Sequence, residues 1–296
     1  MYITIIGMGR IGQAIQHLLK SEHTIECYDT DPSKLITQKP IEDIIPHSEI
    51  IFLCVPSWAL RTSLLQIRPW ISKNTSLVCL SKGIDEQTTQ TMDEILEQVL
   101  PTHAFAMLIG PMMAEELLQD RGGVGVLACS QKELFKTIRD IFDPSLKLIP
   151  STEVHAIALA GVLKNIYAMG LGIADALLFS QNYKGWFVSR AIEEMMVILK
   201  TLGYNPDILL GPAGLADFIA TGFSPYSNNR AVGEAFVKGG ADQKRGGGSV
   251  SITPLLRLIG SKEIKLPLLF GLDEIVNHGA NPQIIYKKIF EEDADF

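Results

Sequence analysis

Residues 3–15, ITIIGMGRIGQAI, leave this chain few folds to choose from. A short apolar run reads as a buried strand, Gly7, Gly9 and Gly12 follow in G-x-G-x-x-G spacing, and an amphipathic helical pattern opens at about residue 11. Glycine-rich turns are common, but between a strand and a helix start each glycine has a separate use. Gly7 permits the tight turn, Gly9 lets backbone approach a pyrophosphate, and Gly12 lets the helix pack closely on the strand. Arg10 and Ile11 complete the turn, and the free N–H groups and positive dipole end of the helix then face the phosphates. This pattern predicts a dinucleotide-binding β-α-β unit.

The next 130 residues repeat that alternation. Strand candidates are 3–6, 24–28, 50–55, 76–80, 104–108 and 124–128, with helical patterns at about 11–20, 58–69, 87–99, 112–119 and 131–141. Strand, helix, strand in that order predicts a Rossmann-type parallel sheet with buried strands, and LKLIPST (146–152) adds a last edge strand. From about Thr152 no strand pattern returns, so an all-α domain is expected over 151–296 after a nucleotide-binding domain over 1–150. The second strand ends IECYDTD, which places Asp29 where a carboxylate bonds adenosine ribose hydroxyls, while Asp31 before Pro32 reads as a helix cap. A carboxylate there repels a 2′-phosphate, and no arginine follows until Arg61, so NAD is expected ahead of NADP.

Net charge of −7 without any Lys/Arg block argues against a general nucleic-acid surface. The N-terminus lacks the basic, apolar and small-residue segments of a signal peptide. Cys27, Cys54, Cys79 and Cys129 lie in or beside strand-like runs without a CxxC pair, which predicts free buried thiols in a reducing cytoplasm. The six histidines have no metal-ligand spacing, so no metal is expected. The apolar run 149–179 invites a membrane reading, but Glu153, His155, Lys164, Asn165 and Asp175 interrupt it and favour a buried core helix, capped by Ser151 or Thr152.

Lys164 is the anomaly in that helix. Its helical face carries Ile157, Ala160, Ala168 and Leu171, none of which solvates a charge, although Asp175 lies further along. Either the ammonium snorkels to water at a helix edge, or it is held inside for chemistry. Five stretches decide between these: VPSWALR (55–61), SKGI (81–84), GPMMAEE (110–116), LKNIYAMGLGIADAL (163–177) and GLADFIAT (214–221). With the glycine motif, and in this order, they resemble the NAD(P)-dependent glycerol-3-phosphate dehydrogenases from the N-terminus to about residue 235.

The resemblance implies reversible reduction of glycerone phosphate to sn-glycerol 3-phosphate, feeding glycerophospholipid synthesis, by a cytoplasmic homodimer. It makes Lys164 the catalytic acid/base, with Asp217 of GLADF orienting its ammonium and Asn165 beside it at the substrate. A ketone accepting hydride builds negative charge on oxygen, which an ammonium can stabilise and protonate. Lys82 of SKG matches the second active-site lysine. Gly110 shapes the turn near the nicotinamide, Pro56 and Ala114 fall on the cofactor side, and Met113 replaces a usual phenylalanine. Thr221 is placed to donate to the substrate phosphate.

The chain departs from the family at YSNNRAVG (226–233). The family has Ser-Arg-Asn there, its arginine and asparagine holding the substrate phosphate and reaching the cofactor. Ser227 and Asn229 match, but Asn228 stands where arginine is expected and Arg230 comes one place late. One place on a helix is about 100°, so Arg230 does not inherit the phosphate role automatically. Ala216 replaces a glycine, and Gly246–Gly248 stand where the family has Glu-Gly. Asn228, Arg230, and Lys244 with Arg245 in the loop 238–249 are the candidates facing the phosphate. The alternatives are a related β-hydroxyacid or ketopantoate dehydrogenase on the same plan, and a non-catalytic dinucleotide sensor. Neither explains SKG and GLADF together with Lys164.

Overall fold

The computed structural model describes residues 1–239, 247–260 and 264–292. Seven strands form one sheet: β1 (Tyr2–Ile6), β2 (Thr24–Tyr28), β3 (Ile50–Leu53), β4 (Ser76–Cys79), β5 (Phe105–Ile109), β6 (Gly123–Ala128) and β7 (Leu146–Ser151). Their spatial order is β2-β1-β3-β4-β5-β6-β7, with Ile3 opposite Ile25 on one side and Ile50 on the other. The chain therefore reverses direction across the sheet between β1 and β3. In open α/β sheets, ligands bind at the carboxyl ends of the strands flanking such a switch point. All four residues of β3 are buried, as expected for a central strand covered by helices on both faces.

Strands β1 to β5 are parallel, but β6 runs antiparallel to β5, and β7 follows β6. The expected Rossmann-type sheet is therefore mostly parallel, with β6 reversed against β5. The helix predicted over 112–119 is only α5 (Ala114–Leu117), four residues long. Four residues rise about 6 Å, too little to return along a strand of about 17 Å, so the chain re-enters the sheet from the same end. The other helices around the sheet are α1 (Arg10–Leu18), α2 (Ile41–Ile44), α3 (Ser57–Ile67), α4 (Met92–Val99) and α6 (Lys132–Ile141). Helix α4 starts five residues later than the helix expected over 87–99, after the polar run QTTQT. Thr91 and Glu94 close a capping box there, which satisfies the first free N–H groups.

The remaining helices are α7 (Val154–Ala176), α8 (Gln181–Thr201), α9 (Asp217–Phe223), α10 (Asn228–Lys238), α11 (Gly247–Ile259), α12 (Pro267–His278) and α13 (Pro282–Glu292). By contacts the chain divides into one unit of Met1–Gly83 with Gln90–Ala158 and another of Ile84–Thr89 with Leu159–Phe296. Helix α7 is long and apolar enough to cross a membrane, yet its apolar window is wholly buried inside the fold. Helix α13 has no counterpart in the periodicity reading, although Asn281 accepting from the Gln283 N–H and Pro282 in the first turn form a regular start. Tyr286 of α13 is buried and donates its hydroxyl to the Gly170 carbonyl at 2.7 Å, fixing α13 on α7.

Candidate active site

In the first unit, the Gly7 N–H bonds the Tyr28 carbonyl at 2.8 Å, which ties the turn to the end of β2. Gly7 has φ +96°, and a side chain there would meet the Cys54 carbonyl at 2.8 Å. A Cβ on Gly12 would lie 2.0 Å from the Gly7 carbonyl oxygen, whereas one on Gly9 would meet nothing within 4 Å. Two glycines are thus needed for packing and the middle one faces open space. No side chain caps α1, so its first N–H groups remain available to an anion. These features fit a dinucleotide pyrophosphate. Arg10 begins α1 and pairs with Glu115 at 3.1 Å, Ile11 follows half-buried, and Ala114 is the first residue of α5.

Pro56 precedes α3 just beyond β3, on the other side of the switch point. Lys82 is half-buried just past the end of β4, after Ser81, whose hydroxyl donates to the Val55 carbonyl at 2.6 Å. Gly110 lies past β5, where a Cβ would come within 2.4 Å of the Val124 carbonyl oxygen.

Asp29 is buried at the end of β2. Its Oδ2 accepts the Met8 N–H at 2.7 Å and its Oδ1 the Asp31 N–H at 2.9 Å. The Lys34 ammonium lies 3.1 Å from both oxygens. Burial by itself pushes this carboxyl up, but the two backbone N–H bonds and Lys34 outweigh it and hold the group below the ordinary aspartate value. Asp31 caps the one-turn helix Pro32–Lys34 by accepting from the Ser33 N–H, as its place before proline indicates. Lys34 was not among the sequence candidates. Its signal in the sequence is a cation five residues after Asp29.

In the second unit, Lys164 is 5% exposed and does not snorkel. Its Nζ donates to Asp217 Oδ1 at 3.0 Å and to Thr221 Oγ1 at 2.6 Å, and the Thr221 hydroxyl donates to Asp217 Oδ1 at 3.2 Å. Asp217 and Thr221 stand four apart on α9 and so share a face. A π-turn over Pro212–Ala216 leads into α9, and a Cβ on Gly214 would lie 2.2 Å from the Leu209 carbonyl oxygen, so this sharp approach is fixed by sequence. Thr221, expected at a phosphate, is engaged with the lysine and the aspartate.

Asn165, also buried, accepts from Asn229 Nδ2 at 2.8 Å, and Asn229 Oδ1 accepts the Gly248 N–H at 2.9 Å. Glycines make this possible. A Cβ on Gly248 would fall 2.4 Å from the Asn165 carbonyl oxygen, one on Gly172 2.0 Å from that of Arg230, and one on Gly233 2.0 Å from that of Met169. Helices α10 and α11 therefore meet α7 backbone to backbone. Asn228 is exposed, and Arg230 pairs with Asp175 and Glu234, each at 2.8 Å. Lys184 also bonds Asp175, at 2.7 Å. Lys244 and Arg245 lie outside the described residues.

Two family models match the chain: the N-terminal part of NAD-dependent glycerol-3-phosphate dehydrogenase over residues 26–135 and its C-terminal part over 153–287. The glycerol-3-phosphate dehydrogenase (NAD(P)+) of Pseudomonas entomophila is 29% identical over 308 aligned positions, covering 94% of this chain and 90% of its own. Among solved structures, a glycerol-3-phosphate dehydrogenase from Coxiella burnetii superposes with a TM-score of 0.89 at 22% identity over 98% of both chains. One from Plasmodium falciparum gives 0.84 at 19% identity over 97% of this chain and 94% of that one. A glycine turn at a sheet switch point and a buried lysine on a core helix define a nicotinamide-dinucleotide oxidoreductase. The chain belongs to the NAD-dependent glycerol-3-phosphate dehydrogenase family, whose reaction is the NAD(P)H-dependent reduction of glycerone phosphate.

Proposed function

We propose that this chain reduces glycerone phosphate to sn-glycerol 3-phosphate, reversibly, with Lys164 as the proton donor. The observation that carries the residue assignment is the buried Lys164–Asp217–Thr221 cluster. Bound NAD(P)H supplies the hydride. As the carbonyl oxygen gains negative charge, the Lys164 ammonium stabilises it and hands over a proton, and the neutral amine takes the proton back in the reverse direction. Asp217 holds the ammonium in one orientation. Thr221 is a positioning residue that fixes both. Asn165, braced by Asn229, binds the substrate. Gly7, Gly9, Arg10, Ile11 and Gly12 hold the pyrophosphate, Asp29 the adenosine ribose, and Pro56 and Ala114 further parts of the cofactor. Lys82 and Gly110 stand at strand ends where the nicotinamide side is expected.

The chain works in the cytoplasm as a homodimer and supplies the glycerol backbone of phospholipids. Four unpaired cysteines support the compartment, and exposed Phe270, Ile284 and Phe290 on the helical unit support self-association. Lys164→Ala is expected to lower turnover by about 10²- to 10⁴-fold, the usual worth of a positioned acid, while the NADH dissociation constant stays within about twofold. Lys164→Met, which fills the lysine's space, is expected to do the same. Undiminished turnover in either variant removes Lys164 from the chemistry.

A further inference from the structure

A carboxylate has about four lone-pair sites. In Asp29 the chain itself uses them: one backbone N–H on each oxygen, from Met8 and Asp31, and the Lys34 ammonium 3.1 Å from both. The two backbone bonds come from main chain, Met8 in the buried glycine turn and Asp31 in the exposed segment after β2, whereas the Lys34 side chain is 40% exposed at the end of a one-turn helix. Of Asp29's partners, Lys34 is the one free to swing without disturbing the fold.

We propose that Lys34 determines which dinucleotide this chain accepts, pairing with Asp29 and turning to the 2′-phosphate when NADP(H) binds. The proposal rests on the reading of Asp29 as the ribose carboxylate. A ribose diol brings two O–H donors, and Asp29 can accept them once Lys34 moves aside. A 2′-phosphate instead adds nearly two negative charges beside a carboxylate, a repulsion that only an interposed cation offsets. The Lys34 ammonium already stands on the carboxylate face, so a small rotation of a long side chain lets it bridge both anions. Lys34 is thus required for NADP(H) and dispensable for NAD(H), which must break its ion pair to bind. Asp29 favours one cofactor and Lys34 admits the other.

The test is direct titration of NADH and NADPH by nicotinamide fluorescence, using the whole chain without any ketone. Lys34→Gln is expected to weaken NADPH about tenfold, the low end for a charge-assisted bond at a partly exposed site, while NADH stays within about twofold or tightens. Lys34→Arg is expected to restore NADPH affinity. Parallel weakening of both dinucleotides shows that Lys34 only braces the turn after β2 and overturns the proposal. So does a Lys34→Gln variant that binds NADPH as tightly as the wild type. With no ketone present, an error about the substrate leaves these ratios unchanged. An error about Lys34, in turn, leaves turnover of glycerone phosphate standing.

Discussion

In the helical unit Lys164, Lys184 and Arg230 are each held by carboxylates, with different consequences. Lys164 is matched to Asp217 with a hydroxyl beside it. Lys184 and Arg230 converge on Asp175, and Arg230 is also held by Glu234. A guanidinium already shared between two carboxylates adds little positive field for an incoming phosphate, and the family's arginine position is occupied by exposed Asn228. Arg230→Ala is therefore expected to change the Michaelis constant for glycerone phosphate less than about threefold. The same variant is expected to lose about 1–2 kcal/mol in denaturant unfolding, because a partly buried ion pair is broken. A ten- to hundredfold rise in that constant, with dihydroxyacetone unaffected, makes Arg230 the phosphate handle after all. At this scale Lys164 was legible as a charge on an apolar helical face. Its partner Asp217, more than fifty residues away, came only from family likeness. Lys34 was missed because its value depends on a tight turn that folds it back over Asp29.

The elements that carry the site are set by backbone contact as much as by side chains. Asn165 of α7 meets Asn229 because α10 and α11 approach α7 at glycines. Gly172→Ala places a methyl 2.0 Å from the Arg230 carbonyl oxygen, so α10 must shift and draw Asn229 away from Asn165. The expected result is a loss of about 3 kcal/mol or more, together with a raised Michaelis constant for the ketone. Gly185→Ala in α8 meets nothing within 4 Å and is the control. It is expected to be neutral or to gain up to about 1 kcal/mol from helix propensity. Thermal unfolding of both variants beside steady-state kinetics separates the effects, and equal stability in the two contradicts the packing argument. The strands and most helices were legible because their periods, near two and near 3.6, differ plainly. The direction of β6 was not, since it follows from the shortness of α5. The late start of α4 comes from the capping box of Thr91 and Glu94, which follows the polar run 87–91.

At the scale of the molecule, the sheet topology puts the glycine turn and Pro56 on either side of one switch point, and the helical unit holds a buried lysine on its core helix. The sequence showed that the chain has a nucleotide-binding part and a helical part. It could not show that Ile84–Thr89 packs with the helical residues, because nothing local in those six residues names their partner. Arg257 donating to the Glu86 carbonyl at 3.1 Å is part of that long-range pairing. The resemblance is clear for the cofactor half and for the stretch around Lys164, and it breaks at Asn228, where the family pattern leads one to expect arginine. Specificity for a phosphorylated ketone is therefore the central claim and the one most exposed to failure. The direct test is NADH and NADPH oxidation by the purified chain with glycerone phosphate, dihydroxyacetone and ketopantoate in parallel. Glycerone phosphate is expected to give a kcat/KM at least about a hundredfold above dihydroxyacetone, the worth of one or two charge-assisted phosphate bonds, with no turnover of ketopantoate. Equal use of dihydroxyacetone and its phosphate, or faster use of ketopantoate, contradicts the assignment.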